Sequence, residues 1–153
     1  MEVHRSALVE YSAEDMFDLI EAAEHYPDFL PWCAGATILS RDDSLVVANI
    51  AVAWHGLKFQ FTTRNPKRRP EWLAVRLERG PFRRFDGDWK LQSLAPAACK
   101  VEFALRYEFD GAIARKAAGA VFERIAGTFV DAFVNRAHAV YGPRGAGEAR
   151  RSG

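Results

Sequence analysis

The chain has few residues able to do covalent or metal chemistry. Among its 153 residues there are two cysteines, Cys33 and Cys99, far apart and outside any Cys-x-x-Cys pair. Both are expected as buried free thiols, since cysteines in a reducing compartment rarely pair. The four histidines, His4, His25, His55 and His138, include no i,i+4 pair, which argues against a helical metal site. There is no GxSxG elbow, no P-loop and no GxGxxG, so the usual nucleophile and phosphate-cradle motifs are missing. No run approaches the roughly 18 apolar residues of a membrane span. Met1-Glu2-Val3-His4-Arg5 lacks the basic start and apolar core of an export signal. An excess of one charge is also missing. Lys plus Arg number 21 against 20 Asp plus Glu, a net charge of +1, unlike a wholly basic nucleic-acid binder, and no DNA partner is expected. The expectation is one cytoplasmic domain over residues 1–142 with a flexible polar tail over 143–153.

Apolar and aromatic side chains, by contrast, are abundant. The chain is 49% hydrophobic, with eleven Phe and four Trp, which excludes a disordered chain and calls for a core, a cavity or both. Val3 to Tyr11 reads as a strand. Ser12-Ala13-Glu14-Asp15 then resembles a capping box opening a short helix through Phe17 and Ile20. Pro27 and Pro31 confine the next segment to a helical turn. Six further alternating runs follow, ending with Cys99, Val101, Phe103, Leu105, Tyr107 and Phe109 against Lys100, Glu102, Ala104, Arg106 and Glu108. Turns are expected at Asp42-Asp43-Ser44, His55-Gly56, Asn65 to Pro70, Gly80-Pro81 and Pro96-Ala97-Ala98. From Asp110-Gly111 the period changes to a helical stripe of Ala118, Val121, Phe122, Ile125, Phe129 and Phe133, stopped by Gly142-Pro143. This order predicts an α+β fold: a curved seven-stranded antiparallel sheet wrapped around one long C-terminal helix, with two short helices after strand 1.

Several segments carry a family likeness. They are Ala7 to Phe17, Tyr26-Pro27-Asp28-Phe29-Leu30-Pro31-Trp32-Cys33, Phe61-Thr62-Thr63-Arg64-Asn65, Gly80-Pro81-Phe82-Arg83-Arg84-Phe85, Gly87-Asp88-Trp89 and Val130-Asp131-Ala132-Phe133 with Arg136-Ala137 and Tyr141-Gly142. Together they resemble the coenzyme Q-binding protein and ribosome-association toxin RatA family, within the START-like helix-grip, polyketide cyclase/dehydrase-like superfamily. The resemblance implies the helix-grip fold. It also implies two roles: a non-enzymatic carrier of ubiquinone or another isoprenoid quinone supporting respiration, or a protein that binds the large ribosomal subunit and inhibits subunit joining. A cyclase- or dehydratase-like enzyme is a third reading. No cofactor is required under the first two, beyond a bound quinone or isoprenoid lipid as cargo. The chain departs from the family at Glu10, where Pro is frequent, and at Arg83, where Lys is common.

Two sets of residues are candidates for the function. Trp32, Phe61, Phe82, Phe85, Trp89, Phe122, Ile125, Phe129 and Phe133 are expected to line an apolar ligand cavity between sheet and helix. Only Cys99 and Tyr107 are titratable on the apolar faces of the last two strands, which disfavours acid–base catalysis. The stretches Pro27 to Pro31 and Gly80-Pro81-Phe82 are candidate mouth segments, where Phe29, Leu30 or Phe82 would touch a membrane. Charge is segregated: residues 1–57 carry a net −8, residues 58–84 a net +7 and residues 85–153 a net +2. Lys58, Arg64, Lys67, Arg68, Arg69, Arg76, Arg83 and Arg84 form a candidate basic patch for phosphates of ribosomal RNA or of an anionic membrane at its inner face. Lys67-Arg68-Arg69 is placed at a hairpin tip.

Overall fold

A computed structural model describes residues 1–111 and 117–143. The alternating runs form seven strands: β1 (Glu2–Val9), β2 (Cys33–Arg41), β3 (Leu45–Trp54), β4 (Leu57–Arg68), β5 (Trp72–Arg79), β6 (Phe82–Ala95) and β7 (Ala98–Phe109). They make one antiparallel sheet in the order β1-β7-β6-β5-β4-β3-β2. Each neighbouring pair from β2 to β7 is a hairpin, so local turns set the register. Trp54 pairs with Leu57 across His55 and Gly56, whose φ angles are 49° and 80°, the two-residue turn that matches strand twist. Gly80 has φ +155°, and a Cβ there would lie 2.5 Å from that of Phe61. A larger residue would push the β5–β6 turn off β4.

β1 and β2 are the two sheet edges, so the chain must cross between them. It does so through α1 (Ala13–Glu21) and a 3-10 segment over Ala23–Asp28. The expected cap is present: Ser12 Oγ accepts from the Asp15 N–H at 3.0 Å. Inward-facing residues of the strands meet Met16, Phe17 and Ile20 of α1 in one core.

The C-terminal helical stretch is two helices and not one rod. α2 spans Ala117–Gly127 and α3 spans Phe129–Tyr141. At Thr128 the ladder tightens. Its N–H donates to the Ile125 carbonyl at 3.2 Å, and its hydroxyl donates to the same oxygen at 2.9 Å. Such back-bonding bends helices. A Cβ on Gly127 would come within 3.3 Å of the Arg5 guanidinium. The stripe runs through the junction, with Phe122, Ile125, Ala126, Val130, Phe133 and Ala137 all buried. The expected helix start after Gly111 and the tail beyond Pro143 lie outside the described residues. The Tyr11 hydroxyl donates to the Gly142 carbonyl at 2.6 Å, and the Tyr141 hydroxyl donates to the Asp15 carbonyl at 3.0 Å. These two bonds hold the end of α3 against the start of α1.

A second difference concerns β4. Asn65, Pro66, Lys67 and Arg68 were expected in a turn but continue the strand, with Lys67 paired to Leu73 and Arg68 to Trp72. Pro66, which has no N–H to donate, lies opposite Leu45, the first residue of β3. The hairpin tip is therefore narrower than the turn chemistry suggests, and Lys67 is not on it.

Candidate functional site

The sheet is covered by α2, α3 and the 3-10 segment, and a cavity of about 60 Å³ remains beneath them. Large rings meeting at fixed strand and helix positions leave this space. Phe129 stacks on Trp32 with centroids 5.3 Å apart, Phe133 meets Trp89 edge-on at 5.1 Å, and Phe103 tilts against Phe129 at 5.3 Å. Trp32, Phe61, Phe85, Trp89, Phe122, Phe129 and Phe133 line the cavity. Phe82 and Ile125 do not. Phe82 stacks on Phe109 at 4.7 Å and meets Phe85 at 4.9 Å, filling the aromatic cluster beyond the cavity. Ile125 is 1% exposed and packs in the core.

Sequence reasoning missed the polar part of the lining. Tyr26, Thr63 and Asn65 all face the cavity. The Tyr26 hydroxyl is occupied, donating to the Ile20 carbonyl, and burial pushes its pKa far above the ordinary phenol value. The Asn65 carbonyl Oδ1 is buried with no hydrogen-bond partner among the described residues. Thr63 shares the inward parity of Phe61, as the strand alternation predicts, and the same alternation carried past Arg64 reaches Asn65. Among the described residues, no Asp, Glu, His, Lys or Arg lines the cavity.

The mouth residues expected to touch a membrane sit elsewhere. Leu30 is 2% exposed and Phe82 5% exposed, both core residues. Phe29 packs edge-on against Phe133 at 5.2 Å and lies under the Arg136 guanidinium at 5.1 Å. Phe133 on α3 draws Phe29 inward, and Phe82 is held among the rings of Phe85, Phe109 and Phe122. Among the described residues, no helix is long and apolar enough to cross a membrane.

The candidate basic residues are mostly paired. Lys67 Nζ lies 2.8 Å from Glu21, and Arg69 Nε lies 2.8 Å from Asp18, both acids of α1. Arg76 meets Asp88 at 3.0 Å, Arg83 meets Glu108 at 3.1 Å, and Arg84 meets Asp86 at 3.0 Å. Arg68 is 3.8 Å from Glu71. Lys58 and Arg64 have no ion-pair partner among the described residues. Arg64 lies directly opposite Arg76, so the two guanidiniums share the outer sheet face. The acidic and basic segments are thus folded onto each other: α1 seats its carboxylates against the β4–β5 hairpin.

Known proteins resemble the chain in sequence and in fold. The model of a family described as polyketide cyclase / dehydrase and lipid transport matches residues 9–134. The ribosome association toxin RatA of Pseudomonas aeruginosa is 38% identical over 140 residues, covering 92% of this chain and 97% of the relative. The mitochondrial coenzyme Q-binding protein COQ10 homolog B of Xenopus laevis is 23% identical over 146 residues, covering 93% of this chain and 60% of that protein. Among solved structures, the Zhui aromatase/cyclase from Streptomyces sp. R1128 superposes with a TM-score of 0.78 at 19% identity, covering 90% of this chain and 93% of that one. That last likeness bears on fold alone.

Proposed function

The chain belongs to the polyketide cyclase / dehydrase and lipid transport family, and from that premise we propose that it binds a hydrophobic small molecule without turning it over. An isoprenoid quinone is the ligand we favour. The observation that carries this reading is the aromatic-lined cavity under the α2–α3 junction. Its 60 Å³ is smaller than the roughly 300–1,000 Å³ of a drug-sized site. Uptake therefore requires the roof to move, and the tightened turn at Thr128 supplies a bend between its two halves. Burial contributes about 0.8 kcal/mol per CH₂ of tail. Among the described residues, no carboxylate or imidazole lines the cavity, which supports binding over acid–base turnover. The test is native mass spectrometry of the purified protein, paired with solvent extraction. A bound or reloadable quinone is expected, and a protein that never carries or takes up quinone overturns the ligand assignment.

A second reading is association with the large ribosomal subunit in the cytoplasm. It is favoured by the name of a relative 38% identical across nearly all of both chains. Of the candidate basic residues, Lys58 and Arg64 have no ion-pair partner among the described residues, and Arg64 lies beside Arg76 on the outer sheet face. Cosedimentation with large subunits at low salt is expected. A Lys58→Glu/Arg64→Glu double variant should lose it. Absence of cosedimentation at every salt concentration overturns this reading.

A further inference from the structure

Asn65 is an unusual residue for an apolar cavity. It is 9% exposed, it faces the space, and its carbonyl oxygen accepts nothing among the described residues. A Leu would fill a similar volume without stranding a carboxamide away from water. Buried polar atoms are nearly always satisfied, so an orphan calls for a cause. Tyr107 carries the other orphan oxygen, but its hydroxyl does not line the cavity. Among the described residues, Asn65 alone joins an unmet hydrogen bond to an open space. Two residues earlier on the same face of β4, Thr63 adds a second polar side chain to the lining, 2% exposed.

We infer that Asn65, with Thr63 beside it, is the polar anchor of the cavity, and that its ligand is an apolar ring bearing a hydroxyl, seated against β4 with its O–H donating to Asn65 Oδ1. The inference rests on the reading that the cavity holds a ligand, and it adds the ligand's polar group and its orientation. The Oδ1 atom only accepts, so among quinones it takes the hydroxyl of the reduced form, whereas a quinone carbonyl offers it no donor. A wholly hydrocarbon ligand would leave the amide unpaired and is selected against.

Two rings of matched size separate the possibilities. Phenol and toluene are titrated into the full chain, with binding read from the NMR signals of the indole groups of Trp32 and Trp89. Both rings are expected to bind the wild type. Asn65→Leu should weaken phenol by about tenfold, roughly 1.4 kcal/mol, and leave toluene within about twofold or tighter. Retained toluene binding shows that the variant still folds around its cavity. Thr63→Val should weaken phenol by a smaller factor. If both rings bind and Asn65→Leu treats phenol as the wild type does, the anchor is refuted while the ligand cavity stands. If neither ring binds the wild type, the cavity reading falls and the anchor with it.

Discussion

Phe122 is the hinge of the packing argument, and replacing it by Ala tests that argument quantitatively. The side chain is 1% exposed. Its ring lies 4.9 Å from Tyr107 and 5.5 Å from both Phe82 and Phe109, centroid to centroid, and it also borders the cavity. Burying a Phe side chain contributes about 1.5–3 kcal/mol. The truncated ring leaves a void on the order of 100 Å³, and at about 24 cal/mol per Å³ this costs a further ~2 kcal/mol. Phe122→Ala should thus destabilise by about 4 kcal/mol, a large part of the roughly 5–15 kcal/mol typical of a domain. With a urea m-value of about 2 kcal/mol/M, the midpoint falls by about 2 M. The new void adjoins the existing cavity, so benzene should bind the variant and recover about 2.7 kcal/mol at ~100-fold its Kd. Urea melts with and without benzene measure both quantities. A loss under about 1 kcal/mol at unchanged m-value would refute the claim that the sheet and α2 are locked through this ring.

Other substitutions probe the remaining polar features. The Tyr107 hydroxyl is buried without a partner among the described residues, and burial pushes its pKa up to about 12. Tyr107→Phe should leave stability unchanged or raise it by about 1 kcal/mol, and a lowered melting temperature would reveal a partner. Arg41 grips Glu24 through two bonds of 2.7 Å, which hold the carboxyl below its ordinary pKa against the opposing effect of burial. A lowered folded-state pKa gives stability present above the unfolded value, about 4.3, and lost as pH falls through the folded one. Arg41→Gln should therefore be less stable than the wild type at neutral pH, and the gap should narrow in denaturant melts below about pH 4. A gap that persists unchanged in acid would contradict the linkage.

The strands were legible because each alternates over enough residues to fix which side faces inward. Parity places Phe61, Phe85, Trp89 and Phe103 on the concave face, and the structure has them there. Parity does not say how far along the sheet a side chain lies, which is why Phe82 was grouped with the cavity although it fills the cluster beside it. Asn65-Pro66-Lys67-Arg68 carries the residue chemistry of a turn, yet pairing with β3 and β5 overrides it. Ending β4 at Arg64 hid both Asn65 and the inward course of Lys67. The helical stripe was correct in period, but periodicity is blind to a hydroxyl that bonds back to its own helix, so the junction at Thr128 was not visible.

Charge shows most clearly why linear order misleads. A net −8 segment followed by a net +7 segment reads as a basic surface awaiting an external anion. In three dimensions much of that anion is α1. Its Asp18 and Glu21 occupy Arg69 and Lys67, and Glu21 also meets Arg41 at 2.9 Å. Lys67 keeps only 9% of its side chain exposed, so an external phosphate would have to displace a carboxylate from a largely dehydrated cation. Long-range attraction to RNA or to an anionic lipid then falls to the few cations without internal partners, with Arg64 held beside Arg76 by the strand register. The segregation serves folding first: it draws the crossing helix onto the β4–β5 hairpin, next to the strand that carries Thr63 and Asn65. Charge reversal at Lys67 or Arg69 would break an ion pair that holds α1 as well as change the surface field, whereas reversal at Arg64 breaks no ion pair among the described residues and sets an acid opposite Arg76, so only the second kind of variant can assign a phosphate-binding role.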